Sequence, residues 1–205
     1  TIQYVGSYDT LLHLATIAGS VKATTIESCT NNGKVALEAS SKADDTCTVY
    51  VGGIVAQTDA TSVVKMCTNM GVVSVPNSCT TTADEGNFYV GGLVGHNAGT
   101  IEDGFNNGPI ELGVQVSTAY VGGIVGDLPK NSTLRNCFAS GNVIGGFGVG
   151  GIAGRAFGIQ TASASLDTSV NTTVEGCIAF TTSVKTCVSG GENPADHYSG
   201  GAVVG

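Results

Sequence analysis

Apolar and polar residues alternate with period two along several short stretches of the chain. Ile110, Leu112, Val114 and Val116 fall on one side with Glu111 and Gln115 opposite, and Val35, Leu37 and Ala39 repeat the arrangement against Lys34 and Glu38. This period belongs to half-buried strands. A turn signal precedes each stretch, Asn31-Asn32-Gly33 in one case and Asn106-Asn107-Gly108 in the other, where glycine accepts positive φ at no steric cost. Polar connections such as Ser41 to Asp45 and Thr80 to Gly86 then read as surface loops.

Two elements recur through the chain. The first is a strand ending in a glycine pair: Tyr50-Val51-Gly52-Gly53-Ile54-Val55, Tyr89-Val90-Gly91-Gly92-Leu93-Val94-Gly95 and Tyr120-Val121-Gly122-Gly123-Ile124-Val125-Gly126. Weaker copies hold Gly150 and Gly151, then Gly200 and Gly201, and Tyr4-Val5-Gly6 resembles a damaged copy. The second element opens at Ile26, Val64, Ile101, Leu134 and Val174, giving spacings of 38, 37, 33 and 40 residues. Self-similarity at such a period marks a stacked architecture in which one repeat cannot bury its apolar face alone. The expectation is an all-β fold: a single parallel β-helix or β-solenoid domain over residues 1–205, with about five irregular repeats of ~37 residues across 25–205. Residues 1–24 are expected to cap the stack, with a short helix over Asp9 to Ala15.

Stacking turns equivalent positions into ladders. Tyr4, Tyr50, Tyr89, Tyr120 and Tyr198 are expected to form one, and Ile54, Leu93, Ile124, Ile152 and Ala202 an apolar one. The glycine rows between them would admit a second wall of the coil or a sharp bend. The strand rise permits one wide coil per repeat or two coils of ~18 residues.

Composition narrows the function classes. Charged residues make up only 12% of the chain, its net charge is −8 and it has no Lys/Arg cluster, which argues against a nucleic-acid partner. No apolar run is long enough to insert in a membrane as a helix. Seven cysteines and three scattered histidines contain no Cys-x-x-Cys, so no metal or cofactor is expected.

Gly-Gly-[Ile/Leu]-Val-Gly after an aromatic-Val pair, as in Gly91-Gly92-Leu93-Val94-Gly95, resembles the GLUG repeat, over about residues 26–205. The resemblance implies a parallel β-helix or β-roll at a cell surface, with adhesive or structural roles. It brings no catalytic residues. Ala56 and Val204 replace the last glycine of two copies, and the cysteines lie outside the motif.

Cys29, Cys67, Cys137 and Cys177 share one repeat position, and three of them precede a second cysteine. This predicts disulfides Cys29–Cys47, Cys67–Cys79 and Cys177–Cys187 within single repeats, with Cys137 unpaired or intermolecular. The alternative is a buried ladder of thiols. Asn131 and Asn171 open glycosylation tripeptides at the same phase. Cysteines and sequons together suggest an oxidising, extracellular setting. Candidate acid–base residues are Glu102, Asp103, Asp127, Lys130, Arg135 and Arg155; Asp127 and Arg155 share the phase of Gln57 and His96 and are expected along one edge.

These features point to a non-enzymatic extracellular structural or adhesive β-solenoid, either a module of a larger surface protein or a filament subunit stacking head to tail on itself. Its ligand would be a glycan or a host surface. The competing reading is a carbohydrate-active β-helix enzyme.

Overall fold

A computed structural model describes residues 1–5, 11–38, 47–75, 87–113, 118–157, 172–181, 183–186 and 199–201. Among them the chain is all strand and turn, with no helix. Every strand pairs in parallel with its counterpart in the neighbouring coil or coils, and five sheets run the length of the stack. In coil order, sheet 1 holds Leu11–Ala15, Thr48–Gly52, Asn87–Gly91, Thr118–Gly122, Gly148–Gly150 and Ser199–Gly201; sheet 2 holds Ala18–Val21, Val55–Thr58, Val94–Asn97, Val125–Leu128 and Ala153–Ala156. Sheet 3 comprises Thr25–Glu27, Val63–Lys65, Thr100–Glu102, Thr133–Arg135 and Thr173–Glu175. Sheet 4 comprises Thr30–Asn31, Thr68–Asn69, Phe105–Asn106, Phe138–Ala139 and Ile178–Ala179. Sheet 5 closes each coil with Ile2–Tyr4, Val35–Leu37, Val73–Val75, Ile110–Leu112, Val143–Gly145 and Val184–Thr186. One sequence repeat is therefore one wide five-strand coil.

The predicted β-solenoid and its phase hold in the structure. Ile26, Val64, Ile101, Leu134 and Val174 are successive register partners. Ile54, Leu93, Ile124 and Ile152 form a continuous buried ladder joined by backbone hydrogen bonds of 2.8–2.9 Å.

Three expectations are corrected. Leu11–Ala15, part of the expected helix, is a strand with Leu12 and Leu14 opposite Val49 and Val51; its alternating apolar positions meet a ready sheet edge, which a short helix would leave unpaired. Tyr4 belongs to sheet 5, opposite Leu37, and His13 fills the tyrosine column beside Tyr50. The last glycine pair is offset by one residue: Gly201 pairs with Gly150 and Gly200 with Val149. Gly6, Ser7, Val114, Val116, Tyr198 and Ala202 lie outside the described residues.

The glycines serve both expected purposes. A Cβ on Gly52, Gly91 or Gly122 would come within about 2.0 Å of the carbonyl oxygen three residues on, so the first glycine of each pair makes the bend from sheet 1 into sheet 2. Gly126 and Gly154 then press sheet 2 against sheet 1, since a Cβ there would lie 2.5 and 2.4 Å from Val90 N and Val121 N. Ala56 fills the equivalent position of an earlier coil. The coil is thereby divided into two cores. Val35, Val73, Ile110 and Val143 meet Val49, Val90, Val121 and Val149 between sheets 5 and 1. Sheets 2, 3 and 4 enclose Val55, Leu93, Val64, Ile101, Leu134 and Ala139.

Candidate functional site

The tight bend brings the third residues of sheet 1 and sheet 2 together in one half-buried seam. Tyr50, Tyr89 and Tyr120 stack with ring centroids 5.3 and 5.9 Å apart, and His13 stacks on Tyr50 at 5.4 Å. Beside them runs the column Ser20, Gln57, His96, Asp127 and Arg155, so the expected alignment of the last four is realised.

Asp127 is the centre of this seam. Its side chain is only 1% exposed, and it takes 2.8 Å from His96 Nδ1 on Oδ2 and 2.6 Å from Arg155 Nε on Oδ1. Burial alone would push its carboxyl up, but the hydrogen bonds from His96 and Arg155 and their charge outweigh this and hold it below the usual carboxylate range. The Arg155 guanidinium lies 4.3 Å over the Tyr120 ring, with Phe157 at 4.9 Å and Tyr89 at 5.4 Å. Burial costs its charge, yet the bond to Asp127 more than compensates and keeps it protonated. Burial also raises the Tyr50 and Tyr89 hydroxyls, which stay neutral. An ionised carboxylate with both oxygens engaged has no proton to give, so as it stands the triad suits cohesion between coils better than general acid catalysis.

The other acid–base candidates lie elsewhere. Glu102 and Arg135 face each other on sheet 3, within a column of alternating sign: Glu27, Lys65, Glu102, Arg135 and Glu175. Lys65–Glu27 and Arg135–Glu175 are ion pairs at 3.2 and 3.4 Å. Asp103 accepts from Asn136 Nδ2, and Lys130 is exposed in the turn after sheet 2. No group of three or more metal-ligating side chains occurs among the described residues. Among the described residues no helix is long and apolar enough to cross a membrane.

The structure keeps Cys29 and Cys47 apart. Cys47 is buried in the core between sheets 5 and 1, whereas Cys29 packs against the other core. Cys29, Cys67, Cys137 and Cys177 are thiols in one column, the arrangement held as the alternative above. Cys79 and Cys187, the partners expected for Cys67 and Cys177, lie outside the described residues, as does Asn171. Asn131 is exposed in a left-handed turn (φ 66°), and Ser132 of its tripeptide donates to Pro129 O at 2.6 Å.

Sequence reasoning missed a buried amide ladder. Asn31 Nδ2 donates to Asn69 Oδ1 and Asn69 Nδ2 to Asn106 Oδ1, each at 2.7 Å, and all three amides also donate to the carbonyl two residues on. The signal was an asparagine two residues before each turn glycine.

No family model matches the sequence, and no curated protein matches it. Among solved structures, the chain is similar to the crystal structure of a "putative immunoglobulin A1 protease" from Bacteroides ovatus. The sequences are 17% identical at a TM-score of 0.45, over 97% of this chain and 66% of that one. That protein's activity is its own.

Proposed function

We propose that this chain is a non-enzymatic, extracellular β-solenoid of the GLUG-repeat kind with a structural or adhesive role. The observation that carries the reading is where its clustered charges go: Asp127 is spent on His96 and Arg155, and Lys65 and Arg135 on Glu27 and Glu175. Each pair joins one coil to the next. The repeat resemblance supports a surface setting, as a module of a larger protein or a self-stacking filament subunit.

Incubation with a panel of acidic and neutral polysaccharides, followed by reducing-end and unsaturated-product assays, is expected to give no turnover. Turnover abolished by Asp127→Asn would transfer the protein to the carbohydrate-active class. Negative-stain electron microscopy at high and low concentration separates the two structural versions, fibres indicating a filament subunit and short monodisperse rods a module. Antibody labelling of unpermeabilised cells tests the surface location.

A further inference from the structure

We propose that Cys29 with Cys67, and Cys137 with Cys177, are two disulfide-forming pairs, each able to staple consecutive coils together. The four residues occupy one column with Gly104 in its middle. Each follows a residue with left-handed backbone: Ser28, Met66, Asn136 and Gly176, at φ 55, 51, 52 and 62°. The register across each pair is fixed by Thr68 N to Cys29 O at 2.8 Å and Ile178 N to Cys137 O at 2.9 Å. Coils ~4.8 Å apart put partners inside the Cα range of about 4.4–6.8 Å that a disulfide spans. Cys67 and Cys137 are two coils apart and beyond it, so Gly104 leaves one pairing scheme for the column.

One thiol of each pair is already aimed at its partner's coil. Each sulfur lies 3.2–3.5 Å from the carbonyl two residues before it. Cys67 Sγ also reaches Ile26 O at 3.7 Å and Cys177 Sγ reaches Leu134 O at 3.9 Å, equivalent positions of the preceding coil. A Cβ placed on Gly104 would stand 3.2 Å from Cys137 Sγ, so a sulfur in this column leans toward the Cβ position of the coil before it. Cys67 and Cys137 are 0% and 1% exposed, whereas Cys29 and Cys177 are partly exposed. Each pair thus has an outer thiol that a peroxide can reach and an inner thiol to resolve it. A hydrogen bond from Cys137 supports this order by holding the Cys177 thiol below its usual range, to about 7.

With hydrogen peroxide as oxidant, the outer thiolate attacks one peroxide oxygen, the O–O bond breaks and hydroxide leaves, giving a sulfenic acid. The inner thiol then attacks that sulfur, its proton and the hydroxyl leave as water, and the S–S bond forms. Per pair, two thiols and one peroxide give a disulfide and two waters.

The test treats the folded full chain with hydrogen peroxide, blocks remaining thiols and maps peptides without reduction. Cys29–Cys67 and Cys137–Cys177 cross-links are expected, with a loss of two hydrogens for each. Links from these residues to Cys47, Cys79 or Cys187, or continued alkylation of all four thiols, would overturn the proposal. Cys137→Ser is expected to leave the Cys29–Cys67 link intact and to strand Cys177 as a sulfenic acid captured by dimedone. A wild-type level of Cys177 cross-linking in that variant would equally refute it.

Discussion

At the scale of single residues, a few positions in each coil carry the turn chemistry. Asn69 donates to Gly71 O and Asn106 Oδ1 and accepts from Asn31 Nδ2, all inside the fold. Asn69→Ala strands buried partners on both sides and should lower unfolding free energy by about 2–3 kcal/mol in urea titrations. The fold should survive, because Ala139 already occupies this column in a later coil. Met66 shows the opposite case. It is 47% exposed and held at φ 51°, a left-handed conformation that costs an ordinary residue about 1–2 kcal/mol. Part of that is recovered by glycine, at its own entropic cost. Met66→Gly should therefore raise stability by about 0.5–1 kcal/mol net, read as a higher urea midpoint.

Elements are joined by turns that reach across coils, and one of them responds to acid. Asp59, between sheets 2 and 3, accepts from Ser62 Oγ at 2.6 Å, from Ala23 N of the preceding coil and from Thr61. The Ser62 hydrogen bond, with those from Ala23 and Thr61, holds its carboxyl down at about 2. Its contribution is therefore present above the ordinary carboxylate pKa near 3.8 and lost as pH falls from there through about 2. The gap in urea midpoint between wild type and Asp59→Asn should close over that window; a gap constant from pH 5 to pH 2 would contradict the assignment. Most of this level was legible in the sequence, since the strand phases follow the period-two pattern and the glycine pairs. What was not legible depends on neighbours brought together by the coil. A Cβ on Gly53 would lie 2.6 Å from Asn69 Cγ, and one on Gly92 2.4 Å from Asn106 Cγ. The two repeated motifs are thus halves of one contact, yet in sequence they read as a bend and a separate turn. The His96–Asp127–Arg155 seam was visible as a shared phase. Its closure against Tyr89 and Tyr120 required knowing that sheets 1 and 2 fold back on each other.

For the whole molecule, each coil is supported by the coils next to it, so damage should spread by neighbours. A Cβ on Gly126 would meet Val90 N at 2.5 Å and Gly95 O at 2.6 Å in the preceding coil, where no side chain can yield. Gly126→Ala should cost about 1–3 kcal/mol. Hydrogen exchange should show protection lost first across residues 87–113 and 118–157, with 11–38 protected longest. Simultaneous loss along the whole stack would mean that cooperativity extends beyond nearest neighbours.

The repeat changes length at the connections from sheet 5 to sheet 1 and, between Ala156 and Thr173, at the one from sheet 2 to sheet 3. Leu37 to Thr48, Val75 to Asn87, Leu112 to Thr118 and Gly145 to Gly148 span very different distances in sequence, yet the inward columns keep step across all of them. Register is therefore decoupled from loop length. A gene encoding such a stack can gain or lose whole coils by unequal recombination, and vary its sheet 5 to sheet 1 loops freely, while every column stays in phase. The same edge is where a foreign peptide could be grafted for display with least disturbance to the stack.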